Sequence, residues 1–214
     1  MNCIVTAGPT YEPLDDVRRL TNFSTGRLGT ELANFLTARG HKVTLLIGES
    51  ATYSGKRKAK SVQIFSTTAD LRAKLESFSG KRVHAIFHAA AVSDFGFGKI
   101  FTPNDKGELI ALKASRKMST RAGAMLVELV PTPKILAELR GWFPQTGLVG
   151  WKYEANGKRT NAIGAAQRQM VDCDTDACVA NGPAYGPGFG LVADGGQKHF
   201  ADATKLFSAL AKLF

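Results

Sequence analysis

The fold is decided by two pieces of sequence near the start of the chain, Val5-Thr6-Ala7-Gly8-Pro9-Thr10 and Asn22-Phe23-Ser24-Thr25-Gly26-Arg27-Leu28-Gly29. The first continues the apolar run Cys3-Ile4-Val5, which is typical of a buried strand, and it breaks at a glycine and a proline. The second leads into residues 30–39, where apolar residues recur at helical spacing. A strand, a polar loop with placed glycines and a helix indicate the beginning of a nucleotide-binding α/β fold.

The polar loop before the predicted helix has the composition of an anion site. It offers backbone N–H groups, the hydroxyls of Ser24 and Thr25 and the cation of Arg27 near a helix N-terminus, where anions are favoured. A second interpretation stays open, in which Ser24 or Thr25 only caps the helix and Gly26 and Gly29 only allow close packing. Neither the dinucleotide pattern G-x-G-x-x-G nor the P-loop pattern follows the first strand.

Strands alternate with helices along the chain. Residues 42–47, 62–65 and 83–88 are predicted as strands, with helices over residues 30–39 and 69–78. This alternation predicts an α/β fold, a Rossmann-like doubly wound, mostly parallel sheet with helices on both faces, in a single domain over residues 1–214. Further elements are predicted as strands at 125–130, 176–181 and 190–192 and helices at 134–142, 161–171 and 202–214.

Residues 96–120 show little hydrophobic periodicity and contain several glycines and basic residues. Structureless stretches of this length inside a domain are usually functional or disordered. We expect either a basic flap that closes over phosphate groups or a solvated surface loop.

Composition limits the classes of function. The 214 residues carry a net charge of +10, which indicates an anionic partner. The densest basic run, Lys56-Arg57-Lys58-Ala59-Lys60, has no interleaved aromatic residues and does not favour nucleic acid. Three cysteines, Cys3, Cys173 and Cys178, form no disulfide framework or metal-binding pattern. With no leader and no membrane-length apolar run in the sequence, we expect a cytoplasmic protein.

The predicted strand at residues 83–88 ends in small residues followed by an acid. Ala90 and Ala91 would let a ligand approach the backbone at the carboxyl edge of the sheet, where open α/β sheets bind ligands. Asp94 would accept hydrogen bonds from a ligand there, or serve as a turn residue. His88 ends a core strand, and we expect it to be a packed residue and not a general base.

Five motifs follow one another in order between Val5 and Asn181 and resemble one enzyme family, phosphopantothenate–cysteine ligase of coenzyme A biosynthesis. The motifs are Thr6-Ala7-Gly8-Pro9-Thr10-Tyr11-Glu12-Pro13 with Val17-Arg18 and Asn22-Phe23-Ser24-Thr25-Gly26-Arg27-Leu28-Gly29; Ala90-Ala91-Val92-Ser93-Asp94-Phe95; Leu129-Val130-Pro131-Thr132-Pro133-Lys134-Ile135-Leu136; Leu148-Val149-Gly150-Trp151-Lys152-Tyr153-Glu154; and Ala180-Asn181.

The resemblance implies roles for individual residues. Asn22 would hold the acyl-nucleotidylate, Arg18 would help to bind phosphopantothenate, and Lys117 would support the chemistry, with Lys113 as the alternative lysine of that loop. The implied substrate and nucleotide contacts are Gly8, Ser24, Thr25, Gly26, Arg27, Ala90, Ala91, Asp94, Pro133, Lys134, Ile135, Leu136, Trp151 and Arg168.

The resemblance also implies the reaction and its partners. A nucleoside triphosphate, CTP or ATP, carries Mg²⁺ and activates 4′-phosphopantothenate for attack by L-cysteine. No protein metal ligand, flavin, NAD, nucleic acid or membrane is implied, and the family forms homodimers. From the length of the chain we expect a stand-alone ligase without the decarboxylase that is fused to it in many bacteria. One departure from the family lies near Cys173, where a nucleotide-binding lysine is expected.

Two other classes of function remain open from the sequence. One is an NAD(P)- or flavin-linked Rossmann-type oxidoreductase, which the missing G-x-G-x-x-G pattern disfavours. The other is a non-catalytic nucleotide-binding module, which the positive charge permits.

Overall fold

A computed structural model describes residues 1–112, 117–119, 121 and 123–214. The strands are β1 Asn2–Ala7, β2 Tyr11–Pro13, β3 Arg19–Thr21, β4 Lys42–Gly48, β5 Ser61–Phe65, β6 Ala85–His88, β7 Phe95–Pro103, β8 Leu109–Leu112, β9 Leu126–Pro131, β10 Gly147–Tyr153, β11 Ala177–Asn181, β12 Phe189–Ala193 and β13 Gly196–Phe200. The helices are α1 Arg27–Ala38, α2 Thr68–Glu76, α3 Ile135–Trp142, α4 Arg159–Cys173 and α5 Ala203–Leu210.

The main sheet of the described residues has eight strands in the order β13-β12-β11-β10-β6-β1-β4-β5. Six neighbouring strands, from β11 to β5, run parallel, and β12 and β13 are added antiparallel at one edge. The chain reverses its direction of winding between β1 and β6, which is the place where doubly wound sheets bind ligands. The predicted Rossmann-like fold is therefore confirmed.

Helices cover both faces of this sheet. Apolar residues of α1 and α5 pack on one face, against alternate residues of β1, β10 and β11. Helices α2, α3 and α4 pack on the other face. They contact the strand residues that alternate with the first set, such as Ile4, Ile86 and Leu148. This two-sided burial explains why the central strands are continuous apolar runs in the sequence. No described helix is long and apolar enough to span a bilayer.

The expectation of a long loop at residues 96–120 is wrong for much of its length. Strands β7 and β8 form a hairpin there, turned at Asn104, whose side chain accepts hydrogen bonds from the backbone of Lys106 and Glu108. The strand predicted at 125–130 exists as β9, but it pairs with β7 and not with the main sheet. The result is a separate three-stranded sheet, β8-β7-β9.

Two shorter features were also missed. Strands β2 and β3 form a small antiparallel hairpin between the first strand and α1. Strand β13 precedes the last helix, which ends at Leu210 and not at the C-terminus. Both added strands are short and polar, with the sequences Tyr-Glu-Pro and Gly-Gln-Lys-His-Phe at β2 and β13, so neither shows clear alternation.

Helix α1 approaches β1 unusually closely through Gly29. A Cβ atom at this position would lie 2.6 Å from the Cβ of Ala7 and 2.9 Å from the carbonyl oxygen of Thr6. The absence of a side chain therefore sets the distance between the helix and the sheet.

We predict that Gly29→Ala lowers the free energy of unfolding by about 1–3 kcal/mol, the usual range for overpacking. Gly141→Ala is the matched control, since Gly141 is also helical and an added Cβ meets nothing within 4 Å. The control should leave the stability unchanged or raise it by up to about 1 kcal/mol, because alanine favours helices. Urea titrations measure both, and equal stability of the two variants would contradict the close approach.

Candidate functional site

Two loops run side by side where the sheet changes its winding direction. The loop after β1 and the loop after β6 exchange backbone hydrogen bonds, from the Ala91 N–H to the Gly8 oxygen at 3.0 Å and from the Thr10 N–H to the Ala91 oxygen at 3.2 Å. Pro9 and Ala91 form a parallel bridge between them. The small residues Ala90 and Ala91 thus lie at the carboxyl edge with both N–H groups bonded within the protein, and the approach of a ligand to them stays a prediction.

Two buried threonines hold these loops together by hydrogen bonds, and neither was predicted from the sequence as a site residue. The Thr6 hydroxyl accepts a hydrogen bond from the Ala90 N–H at 3.0 Å, and the Thr10 hydroxyl accepts one from the Ser93 N–H at 2.8 Å. Neither threonine is exposed to solvent. We call the loop after β6, residues 89–94, the alanine loop. Because its donors are backbone groups, its position is fixed independently of its own side chains.

His88 is packed in the core, in agreement with the prediction. Its Nδ1 lies 3.0 Å from the Thr6 hydroxyl, and the residue is 5% exposed. Burial lowers the pKa of the imidazole to about 4, so the ring is neutral at physiological pH. It holds Thr6 and does not face the cavity described below.

The N-terminus of α1 opens into a cavity of about 390 Å³. The helix begins after Gly26, a residue with a positive φ of 78° that provides no side-chain cap. The interpretation of Ser24 or Thr25 as the N-cap is therefore wrong. The lining comes from the loop before α1, the first turn of α1 and the ends of three other elements: Ser24, Thr25, Gly26, Arg27, Leu28, Gly29, Glu31, Ala89, Asn181, Phe189 and Ala203.

An uncapped helix N-terminus attracts anions, because its first N–H groups have no intrahelical acceptors and carry the positive end of the helix dipole. Arg27 contributes less free charge than the sequence suggests, since its Nε donates to Glu31 Oε1 at 2.8 Å. Thr25 accepts a bond from the Arg27 N–H at 3.3 Å, and the Ser24 hydroxyl has no partner within the described ranges.

Two orphaned polar atoms lie on the cavity side of the sheet. Trp151 and Asn181 belong to adjacent strands in a register that directs both side chains to the same face. Asn181 Oδ1 and Trp151 Nε1 are buried and have no hydrogen-bond partner in the part of the chain that is described. Buried polar atoms are normally paired, so these two indicate a place where a polar ligand or water completes the site.

Three of the predicted residues lie in or next to the β2–β3 hairpin. Asn22, directly after β3, donates from Nδ2 to the oxygens of Ala91 and Val92, both at 3.2 Å. Arg18, in the hairpin turn, donates to the Met118 oxygen at 2.9 Å, next to the exposed Lys117. The alternative Lys113 lies outside the described residues.

Other predicted residues surround the same edge. Asp94 is exposed, and its carboxylate has no hydrogen bond to any described residue, while its backbone oxygen accepts from Thr132 N–H at 3.0 Å. Pro133 and Lys134 precede α3, and Lys134 is its N-cap without a side-chain cap bond. Ile135 and Leu136 are buried in the core, so only their backbone groups are available to a ligand.

Two positions are separated from the cavity. Arg168 is an exposed residue of α4, on the face of the sheet opposite α1. Cys173, at the end of α4, is buried, and burial raises the pKa of its thiol, an effect that the neighbouring Lys134 ammonium partly offsets. The Lys134 ammonium therefore lies beside Cys173, where the family resemblance predicts a nucleotide-binding lysine.

The fold and site define a Rossmann-type α/β protein with a cavity at its carboxyl edge, next to the N-terminus of α1. Residues 1–206 match the family described as DNA/pantothenate metabolism flavoprotein C-terminal domain, and the chain belongs to this family.

Among curated relatives, the coenzyme A biosynthesis bifunctional protein CoaBC of Thermococcus kodakarensis is 33% identical over 83% of this chain, which spans 40% of that protein. A solved DNA/pantothenate metabolism flavoprotein from Streptococcus pneumoniae has a TM-score of 0.83 at 23% identity, over 98% of this chain and 96% of that one. A Cab2 mutant in complex with phosphopantothenate-cysteine has a TM-score of 0.74 at 19% identity, over 98% of this chain and 84% of that one. The two structures support the fold.

We predict that His88 makes stability fall at acidic pH. An unfolded histidine binds a proton below about pH 6.5, whereas the folded ring remains neutral down to about pH 4. The stability is therefore complete above pH 6.5 and is lost as the pH falls toward 4. In His88→Asn, the difference in unfolding free energy between pH 7 and pH 4 should shrink by about 3 kcal/mol. Urea titrations at several pH values test this, and parallel pH profiles for the two proteins would contradict it.

Proposed function

We propose that this domain is a ligase that joins 4′-phosphopantothenate to L-cysteine at the expense of a nucleoside triphosphate. The observation that carries the proposal is that one stretch of chain connects the cavity at α1 with the loop after β6. The uncapped N-terminus of α1 offers a phosphate site, and the hairpin that leads into it places Asn22 over the alanine loop. The family membership supports the same reaction.

The chemistry requires positioning and neutralisation of charge more than a protein nucleophile. A carboxylate oxygen of phosphopantothenate forms a bond to the α-phosphorus, and pyrophosphate leaves with the electron pair of the broken P–O bond. The neutral amine of cysteine then attacks the acyl carbon, the C–O bond breaks, and the nucleoside monophosphate leaves while the nitrogen loses its proton to solvent. Fixed amide donors and cations lower the barriers of both steps.

The cavity at α1 suits the triphosphate. First-turn N–H groups, the Ser24 hydroxyl and the Arg27 guanidinium would bind phosphate oxygens, and Trp151 would lie against the base or ribose. Mg²⁺ would arrive with the triphosphate, since no group of three acidic, histidine or cysteine side chains within the described residues can hold a metal ion. We propose CTP or ATP as the nucleotide. We also propose that the protein acts in the cytoplasm.

The acyl part of the substrate would lie on the other side of Asn22. The half-buried Ala90 and Ala91 leave room for the pantothenate chain, and Arg18 and Lys117 supply positive charge beside it. Asp94 is placed to accept hydrogen bonds from a hydroxyl or amide group of either substrate.

Pyrophosphate release tests the proposal directly. Purified protein is incubated with phosphopantothenate, Mg²⁺ and either CTP or ATP, with and without cysteine. We expect pyrophosphate and nucleoside monophosphate with at least one nucleotide, and cysteine-dependent turnover. Absence of release from folded protein with both nucleotides would contradict the function.

We predict that Asn22→Asp lowers cysteine-dependent turnover by about 100-fold or more, the usual cost of displacing a positioning group by about 1 Å. A carboxylate cannot donate to the oxygens of Ala91 and Val92, and it repels the anionic intermediate. Thermal unfolding serves as the control and should change little, because Asn22 is exposed. Normal turnover by this variant would remove Asn22 from the site.

We also propose that two copies of the domain associate through the small sheet and the hairpin. These elements expose large apolar side chains, which monomeric proteins rarely gather in one region: Val17, Leu20, Phe23, Phe95, Leu109, Ile110, Leu126, Leu129 and Val130. Strands β8 and β9 are also edges of their sheet and are available for pairing.

We predict that Leu129→Lys converts the dimer to a monomer in sedimentation velocity, because a charge would have to be buried in the interface. Val171→Lys is the matched control: Val171 is 82% exposed, but it lies on α4, outside the small sheet and the hairpin. The control should remain dimeric. A monomeric wild-type protein at micromolar concentration would contradict the association.

A further inference from the structure

We propose that Asp15 is a positioning residue that holds Arg18 and the Lys117 segment together through one carboxylate. The catalytic part of this inference rests on the proposed function, whereas the contact itself does not. Asp15 lies in the turn between β2 and β3.

The Asp15 carboxylate accepts hydrogen bonds from five N–H groups. Oδ1 accepts from the backbone of Val17 at 3.0 Å and of Arg18 at 2.8 Å, which shapes the turn. Oδ2 accepts from Arg18 Nε at 3.0 Å and Nη2 at 2.5 Å, and from the Met118 N–H at 3.2 Å. The side chain of Asp15 has no solvent-accessible surface, so water does not compete for these bonds.

Arg18 binds the same residue that Asp15 binds, Met118, and we call the contact of these three residues the anchor. Its Nη2 also donates to the Met118 oxygen at 2.9 Å, so the N–H and the oxygen of Met118 are both bound by the Asp15–Arg18 pair. The Met118 side chain is buried, whereas its neighbours Lys117 and Ser119 are exposed. The segment is therefore anchored at its middle residue, which leaves the lysine side chain free to reach a ligand.

The ionic character makes the contact persistent. The Arg18 guanidinium bonded to Asp15 holds the pKa of that carboxyl well below its usual range, and the backbone donors of Val17, Met118 and Arg18 add to the effect. The carboxyl is thus ionised throughout the neutral range. Hydrogen bonds with a charged partner are stronger than neutral ones, and two guanidinium nitrogens that donate to the same oxygen, Oδ2, fix the orientation of the guanidinium.

The hairpin connects this anchor to the rest of the site. Strand β3 begins at Arg19, directly after Arg18, and leads to Asn22 above the alanine loop. One carboxylate thereby fixes the guanidinium of Arg18 and the backbone next to Lys117, and β3 connects it to the amide of Asn22. Removing its charge should loosen the lysine segment and weaken the binding of phosphopantothenate, with little effect on the nucleotide cavity at α1.

The test compares Asp15→Asn with Asp16→Asn. Asp16 is the adjacent exposed carboxylate and has no hydrogen bond to any described residue, so the control makes the same charge change without touching the anchor. One readout is the rate of tryptic cleavage after Lys117 in the folded protein, followed by mass spectrometry. The other is the separation of KM and kcat for phosphopantothenate and for the nucleotide in the ligase assay.

For Asp15→Asn we expect cleavage after Lys117 to accelerate at least tenfold and the KM for phosphopantothenate to rise about tenfold, with the KM for the nucleotide unchanged. Asp16→Asn should match the wild type in both assays. Asp15→Glu retains the charge but moves the carboxylate by one methylene, so we expect both effects in the same direction but smaller than in Asp15→Asn. If Asp15→Asn does not fold, Asp15→Glu is the test variant, and cleavage and KM values equal to those of the wild type would then overturn the proposal.

Cleavage rates that are equal in the wild type, Asp15→Asn and Asp15→Glu would overturn the anchor. Faster cleavage with unchanged KM values would overturn the positioning role and leave only a structural contact. If the wild type releases no pyrophosphate, the proposed function fails, and the cleavage rates still decide whether Asp15 holds the segment.

Discussion

The pairing of two loops at the centre of the sheet is the constraint on which the rest of the site depends. The loop after β1 and the loop after β6 continue the parallel pairing beyond their strands, and the buried hydroxyls of Thr6 and Thr10 hold them in register. Asn22 binds to the outer edge of this structure through two backbone oxygens. If the alanine loop moved, Asn22 would lose these hydrogen bonds, and the hairpin that carries Arg18 would no longer be held against the loop through Asn22.

A second constraint acts on the nucleotide side. Helix α1 lies close to β1 because Gly29 has no side chain, and it starts at Gly26 without a capping side chain. Capping would stabilise an isolated helix by about 1 kcal/mol, so its absence at a cavity is consistent with a site where the ligand supplies the acceptor. Gly29 therefore confirms the interpretation of close packing, and anion binding by the loop before α1 stays a prediction.

The sequence predicts the parallel sheet well, because strands buried on both faces are long apolar runs, such as residues 42–48 of β4. The small sheet escaped prediction because Gly96, Gly98 and exposed polar residues interrupt its alternation. The hydrogen bonds of Thr6 and Thr10 could not be predicted, since a threonine in a strand looks like any β-branched residue and a threonine in a turn looks like any turn residue. The Asp15 anchor joins residues 103 positions apart, and such contacts leave no local pattern in a single sequence.

The central claim is that this site activates a carboxylate by transferring a nucleotidyl group to it. The most direct measurement uses phosphopantothenate labelled with ¹⁸O in its carboxylate, with cysteine, Mg²⁺ and the preferred triphosphate. An acyl-nucleotidylate requires that one labelled oxygen appear in the nucleoside monophosphate, as read by mass spectrometry, while the other remains in the amide product. Unlabelled nucleoside monophosphate, or label in orthophosphate, would contradict the account.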